Sequence, residues 1–217
     1  MIAQAFAVFK RERPRPVHLS IPIDVLALPV QEEWQAVEIP GRPMPRIDDV
    51  KEAAQLLRNA KRPLFMTGGG AVEASSPLRK LLEMLNAPVV SSTAGKGVIP
   101  DDHPLSLNAS TVRPEVQEYL SGADVILAVG TELAETDSFV DRLNFRGSII
   151  RIDLDPRKIN DQYPAALGIV ADAAEAVEML LKEGCFQANR RLDEVKQELQ
   201  GLREQIEQNL TDSEKRH

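Results

Sequence analysis

Pro63-Leu-Phe-Met-Thr-Gly-Gly-Gly-Ala-Val72 is the stretch whose reading decides the fold. A short apolar run, Leu64 to Met66, leads into Thr67 and then three successive glycines, Gly68, Gly69 and Gly70. Such a run has the length of a buried strand. Glycines leave no Cβ between the backbone and whatever approaches it, and they tolerate φ > 0. A turn of this kind between a strand and a helix either offers backbone N–H groups to a phosphate or simply makes a tight bend. The neighbouring segments have to choose.

From Ile47 onward helices and strands alternate. Asp48 or Asp49 is positioned to cap a helix running to about Ala60, with Val50, Ala53, Ala54 and Leu57 on its apolar face. After the glycines, Ser75 or Ser76 with Pro77 opens a helix that spaces Leu78, Leu81, Leu82 and Leu85 along one side. Pro88–Ser91 reads as a second strand, followed by Ser92-Thr-Ala-Gly-Lys-Gly97 and a loop from Ile99 to Ser110. Pro114 starts a helix closed by Gly122. Val125-Ile-Leu-Ala-Val129 then forms a continuous apolar run, as a strand covered on both faces should. Ser148–Asp153 and Leu167–Val170 are two further strands, and Ala173–Leu181 is a helix closed by Gly184. Apolar strands alternating with helices define an α/β doubly wound, Rossmann-like domain: a parallel sheet with helices on both faces.

The flanks are different. Residues 1–46 read as a terminal strand, Val17–Ile21, and a long extended linker stiffened by Pro14, Pro16, Pro22, Pro29, Pro40, Pro43 and Pro45. A strand with no neighbours in its own region must pair with something else. Residues 47–184 hold the central domain. Residues 185–217 carry a C-terminal helix from about Asn189 to Leu210, in which Leu192, Val195, Leu199, Leu202 and Ile206 make an apolar stripe interrupted by Gly201. Thr211–His217 is expected to be a disordered tail.

Composition limits the functions open to the chain. With 217 residues, 43% hydrophobic and 27% charged, it resembles ordinary soluble proteins. No apolar run approaches the ~20 residues that span a bilayer, so no membrane partner is expected. The apolar N-terminus lacks a basic n-region and runs straight into Lys10, Arg11 and Arg13, unlike a signal peptide. A cytoplasmic location is the expectation. A formal charge of −7 argues against a nucleic-acid surface. The single Cys185 leaves no disulfide framework and no paired-thiolate zinc site.

In a parallel sheet, ligands bind beyond the carboxyl ends of the strands. The residues following each strand are Gly68, Gly69 and Gly70; Thr93, Gly95 and Lys96; Gly130 and Thr131; Asp153 and Asp155; and Asp172. Small and polar groups therefore collect at one rim, where phosphates and ribose hydroxyls would find partners. The dinucleotide fingerprint nevertheless fails, because Glu73 stands at the third glycine position and the second strand ends in Val90-Ser91 without an acid. His18, His103 and His217 lack Cys or Glu at metal-ligand spacing, so no metal site is expected. Asp101-Asp102-His103, between two prolines, reads as a solvated turn. No residue combination supports nucleophilic catalysis, and no catalytic residue is expected.

Five segments carry a family resemblance. Arg13-Pro-Arg-Pro-Val-His-Leu-Ser-Ile-Pro-Ile-Asp-Val25 resembles the segment closing the first, pyrimidine-binding domain of thiamine-diphosphate-dependent enzymes of the acetolactate synthase group, with Arg15 where the family usually has glycine. The triple glycine with Thr93-Ala-Gly-Lys-Gly-Val-Ile-Pro-Asp-Asp-His-Pro-Leu-Ser106, then Asp124–Gly130 and Ile152–Pro156, resemble the family's central domain in order and spacing. The resemblance implies a three-domain parent that decarboxylates or condenses 2-oxo acids. Its pyrimidine-binding domain would supply the activating glutamate, and its diphosphate-binding domain would hold thiamine diphosphate through magnesium. A homodimer or tetramer of that parent is implied too. This chain is then the non-catalytic central domain, inactive alone.

In some members the central domain binds FAD or another adenine nucleotide such as ADP; in others it binds neither. Glu132 stands where flavin-binding members carry arginine, and an acid beside a diphosphate is repulsive, which weighs against FAD. The run Gly130-Thr-Glu-Leu-Ala-Glu-Thr-Asp137 is more similar to a decarboxylase branch acting on basic 2-oxo acids such as guanidino-oxopentanoate. That is the alternative to the synthase reading. A free-standing adenine-nucleotide-binding module is another, and a small complete oxidoreductase is disfavoured by the failed fingerprint.

Overall fold

The computed structural model describes residues 1–214. Helix α1 (Ile2–Arg11) and the single turn α2 (Ile23–Leu26) precede α3 (Ile47–Asn59). The alternation follows as β1 (Pro63–Thr67), α4 (Ser75–Leu85), β2 (Val89–Ser91), α5 (Pro114–Ser121) and β3 (Val125–Val129). The short α6 (Glu135–Ser138), β4 (Ser148–Asp153), β5 (Leu167–Val170), α7 (Ala173–Glu183) and α8 (Leu192–Glu214) complete it. All five strands pair in parallel in the order β2-β1-β3-β4-β5, with Phe65 opposite Val89 and Leu127.

That order has a direct chain-geometry cause. The path steps one way from β1 to β2 through α4, then back past β1 to β3 through α5. Right-handed crossovers in opposite directions put α4 and α5 on opposite faces of the sheet. Helices α3 and α4 each pack against α7, and α5 meets α8. Covered on both sides, every residue of β1 and β3 is buried. Each helix supplies its apolar stripe: Val50, Ala53, Ala54 and Leu57 of α3, and Leu78, Leu81, Leu82 and Leu85 of α4, are all buried. Burying one such leucine is worth about 1.5–3 kcal/mol, an upper figure because the unfolded chain is already partly compact.

Helix ends and sheet edges are closed locally. Asn86, at φ 47°, ends α4 in the left-handed conformation that a short polar side chain tolerates. The outer edge of β2 is paired with the following loop: Val89 N–H donates to the Leu105 carbonyl (2.9 Å) and Leu107 N–H to that of Val89 (2.8 Å). Asp124 accepts from the backbone N–H groups of Lys61 (2.6 Å) and Arg62 (2.8 Å), fixing the start of β1 beside β3. Helix α8 docks through Val195 and Leu199, both fully buried. Glu198 on that helix pairs with Arg62 (2.7 Å) and Arg190. Burial, helped by the charge of Glu198, pushes the Tyr119 hydroxyl up to about 12.

Several expectations need correction. Val17–Ile21 runs extended without a strand partner among the described residues, with only Leu19 partly covered. Asp48 and Asp49 lie inside the first turn of α3 and do not cap it; Arg46 holds the cap position without a side-chain bond. The N-terminal apolar stretch is helical, and one turn, α2, interrupts the proline-rich linker. His103 is buried: its ring Nε2 lies 3.2 Å from Glu83 and its Nδ1 accepts from Leu105 N–H, so only Asp101 and Asp102 are solvated. Thr211 to Glu214 continue α8, and the rest of the expected tail lies outside the described residues.

Candidate functional site

Strand order reverses between β1 and β3, and the loops leaving those two strands meet there. Gly68 N–H donates to the Val129 carbonyl (3.0 Å) and Gly70 N–H to that of Gly130 (3.0 Å). Gly130 sits at φ 57°, and a Cβ on it would lie 2.6 Å from Ala71 N; one on Gly68 would lie 2.6 Å from Thr131 Cα. Gly70 and Gly95 close the same junction, each with a virtual Cβ 2.9 Å from neighbouring backbone. The glycines are thus needed because three loops pack backbone against backbone. The N–H groups of Gly68 and Gly70 serve carbonyls and are not free for a phosphate, which corrects the cradle reading of those two positions.

Above this junction runs a crevice with two lobes. One, of about 340 Å³, is lined by Gly69, Gly70, Gly130, Asp153, Ala171 and Ala173 together with Arg13 and Arg42. The other, of about 590 Å³, is lined by Gly69, Thr93, Gly130, Thr131, Glu132, Thr136 and Asp137, again with Arg13. Among the described residues Arg13 is the only charged side chain common to both. A separate open groove lies at the opposite end of the sheet, where β4 begins, lined by Arg142, Phe145 and Tyr163.

The rim carboxylates are already engaged. Asp153 accepts from Asp155 N–H (2.9 Å) through one oxygen and pairs with Arg13 (2.8 Å) through the other. Asp155 caps the turn Pro156–Lys158, is gripped by Arg157 (2.9 and 3.0 Å) and is reached by Arg15 (3.4 Å). Asp172 caps α7 by accepting from Ala174 N–H and Glu175 N–H, and pairs with Arg42 (2.8 Å). Hydrogen bonds from the Arg157 side chain bring the Asp155 carboxyl down to about 2, against a smaller upward push from burial. At Asp172 burial works upward, but the Arg42 hydrogen bond and the α7 N–H groups outweigh it, and the carboxyl lies below its ordinary value.

Glu132 is no isolated acid. Arg13 (3.0 Å), Arg15 (3.2 Å) and Lys158 (3.1 Å) all converge on it. Burial pushes its carboxyl up, yet the Lys158 hydrogen bond and the positive charges of Arg13, Lys158 and Arg15 leave it below the ordinary carboxylate value. Beneath it Arg151 is buried, donating to Asp161 (2.6 Å) and to the Thr131 carbonyl (3.1 Å). A buried guanidinium must be paired in this way, since an unpaired one costs several kcal/mol.

The rim therefore gathers Gly69, Gly70, Thr93, Gly130, Thr131, Asp153 and, at its edge, Asp172. Gly68 and Gly95 lie beneath it, and Asp155 is turned into its own arginine pair. Lys96 is exposed and lies outside the lining of either lobe. What sequence reading missed is the basic set: Arg13, Arg15 and Arg42 from the linker, with Lys158. The signal was available in Arg13-Pro-Arg15, because residues two apart on an extended chain face the same side.

Among the described residues no three His, Cys, Asp or Glu side chains converge to hold a metal ion. With each rim aspartate carrying its own arginine, these residues do not fit a magnesium-bound diphosphate.

Residues 50–180 match the family model described as thiamine pyrophosphate enzyme, central domain. The chain belongs to that family. It is 48% identical over 183 residues to a probable 2-ketoarginine decarboxylase of Pseudomonas aeruginosa, covering 83% of this chain and 33% of the relative. It is 29% identical over 191 residues to a probable acetolactate synthase large subunit of Methanococcus aeolicus, covering 82% of this chain and 32% of the relative. The benzoylformate decarboxylase of Polynucleobacter necessarius superposes at a TM-score of 0.71 with 24% identity, over 88% of this chain and 36% of that one. The chain thus spans about a third of the length of the curated relatives it matches.

Proposed function

We propose that this domain belongs to a thiamine-diphosphate-dependent decarboxylase acting on a basic, guanidino 2-oxo acid. The observation that carries the reading is the 48% identity to the probable 2-ketoarginine decarboxylase, against 28–30% for the acetolactate synthases and the glyoxylate carboligase it also resembles. The Glu132 cluster supports it: a carboxylate held by three cations stands where flavin-binding synthases would carry arginine. The synthase reading is the second, supported by the several synthases matched along the same stretch.

In the parent, bound thiamine diphosphate would supply the nucleophile and the electron sink for decarboxylation. This central domain supplies none of the cofactor's anchoring groups. Its role is to hold the pyrimidine-binding and diphosphate-binding domains of the parent chain in register, with an assembly of two or four chains. Glu132 at the edge of the crevice above Gly69 and Gly130 weighs against a diphosphate there, FAD and ADP alike. In this reading residues 1–46 connect to the preceding domain, residues 47–184 form the central domain, and residues 185–217 lead toward the third, in a cytoplasmic protein.

The test is CO₂ release by the full reading frame with thiamine diphosphate and magnesium. Turnover of 5-guanidino-2-oxopentanoate at least ~100-fold above pyruvate in kcat/KM, a discrimination expected where a site holds a polar group, supports the decarboxylase. Preference for pyruvate with acetolactate as product gives the synthase. The 217-residue chain alone is expected to turn over neither.

A further inference from the structure

Prolines set the shape of the segment that enters the domain. Arg13 and Arg15 each precede a proline, Pro14 and Pro16, and a residue before proline is driven out of the helical region into the extended one. Helix α1 accordingly stops at Arg11, with Glu12 already extended. On an extended chain residues two apart face the same side, so the two guanidinium groups form a fork. The receiving side has the same spacing: Asp153 closes β4, and Asp155, ahead of Pro156, follows two residues on. Arg13 meets Asp153 (2.8 Å) and Arg15 meets Asp155 (3.4 Å), each pair separated by 140 positions. One oxygen of Glu132 stands between the prongs, 3.0 Å from Arg13 and 3.2 Å from Arg15.

Two forks of equal spacing admit one register. A slip of one residue puts Pro14 and either Glu12 or Pro16 against the carboxylates, and none of these has a side-chain donor. A slip of two opposes Asp155 with Val17, or calls on Arg11, which is held in the last turn of α1. On the returning limb Arg42 pairs with Asp172 (2.8 Å) and donates through Nε to the Lys10 carbonyl (3.3 Å), tying the end of α1 to the start of α7. Between the limbs residues 16–41 are almost wholly exposed, so apolar packing does not set this register. We propose that Arg13-Pro-Arg-Pro16 is a register clamp fixing where the chain ahead of the central domain stands, and that Arg13 and Arg15 are positioning residues for the parent's reaction. The proposal rests on the reading of this domain as the part that holds its neighbours in register, and names the residues that do so on one side. They touch no reacting group; they act through the placement of the domain upstream, which in that reading would carry the activating glutamate.

The experiment compares the full reading frame with its Arg13→Gln/Arg15→Gln variant, on whichever 2-oxo acid it decarboxylates fastest. We expect kcat about tenfold lower with KM within about twofold, since misplaced reacting groups lose rate while substrate contacts are kept. Arg13→Lys/Arg15→Lys, which retains both charges, should recover most of the loss. The clamp itself is read with a glutamate-specific protease, because the Glu12–Arg13 bond is cut only from the open form when reclosing is fast. Cleavage at Glu33–Trp34, on the exposed loop, is the internal control. Relative to it, cleavage at Glu12 should rise about tenfold in the glutamine variant, as loss of charge-assisted bonds implies. Should that variant melt more than about 3 °C lower, Arg15→Gln alone, whose side chain is 41% exposed, repeats both measurements. Equal relative cleavage overturns the clamp. Faster cleavage with unchanged kcat overturns the positioning role, and so does a fall in kcat that the lysines leave unrestored. Turnover of no 2-oxo acid sinks the functional reading and the positioning role with it, while cleavage still decides the clamp.

Discussion

The glycine junction and the linker arginines meet on the same rim, yet they are held by different physics. At the junction, backbones touch and no side chain intervenes, so there is no slack: a single methyl has nowhere to go. At the linker, long and partly exposed arginine side chains reach down to rim carboxylates, so each bond is replaceable and several can be lost one by one. The first kind of contact fixes where the loops are. The second decides only whether the connector stays on them.

That contrast orders the expected effects. Gly130→Ala should be the most damaging, about 4 kcal/mol from left-handed strain plus crowding against Ala71 N. In a chain of this size it would appear as a fall of roughly 10 °C in the melting temperature. A loss under ~1 kcal/mol would show that the junction has slack after all. Next comes Arg151→Met, which leaves Asp161 and the Thr131 carbonyl without their buried donor; about 3 kcal/mol is expected in denaturant unfolding.

Acid should act on the rim carboxylates in a defined direction. The folded pKa of Asp155 lies near 2, below its ordinary 3.8. Its contribution is therefore complete above about pH 4 and fades as pH falls toward 2. Glu132 and Asp172 are lowered as well and add loss in the same sense. A pH titration of stability should thus be flat from neutrality down to the carboxylate range and fall below it. Stability that rises on acidification would contradict the pairing. Arg42→Gln, by contrast, should cost under ~1 kcal/mol, as exposed pairs do, whatever it does to the linker. The smallest effect has the opposite sign. Gly201 stands in α8 with open space at its Cβ, so Gly201→Ala should raise stability by about 0.8 kcal/mol.

Much of the domain was legible because its signals are local. Leu78, Leu81, Leu82 and Leu85 announce a helix face by spacing alone, and Val125–Val129 announces a doubly covered strand by its unbroken apolar run. Val17–Ile21 shows the limit of the same logic. Its alternation is real, but a strand exists only where an edge accepts its hydrogen bonds, and the fold carries this segment extended to no such edge among the described residues. His103 failed as a solvated residue for a related reason: its partner Glu83 is twenty positions away on α4.

By itself the sequence determined the parallel α/β architecture, the family and the rim at which small and polar residues gather, since periodicity and strand-end composition follow from the chain's own geometry. Only the tertiary structure decided what those rim residues do. The N–H groups of Gly68 and Gly70 went to carbonyls of β3 and its loop, Lys96 went to solvent, and Asp153, Asp155 and Asp172 went to arginines, two of them lying 140 positions earlier in the chain than their partners. No spacing rule reports such a pairing, because it depends on where a connector without regular structure is carried by the fold beneath it.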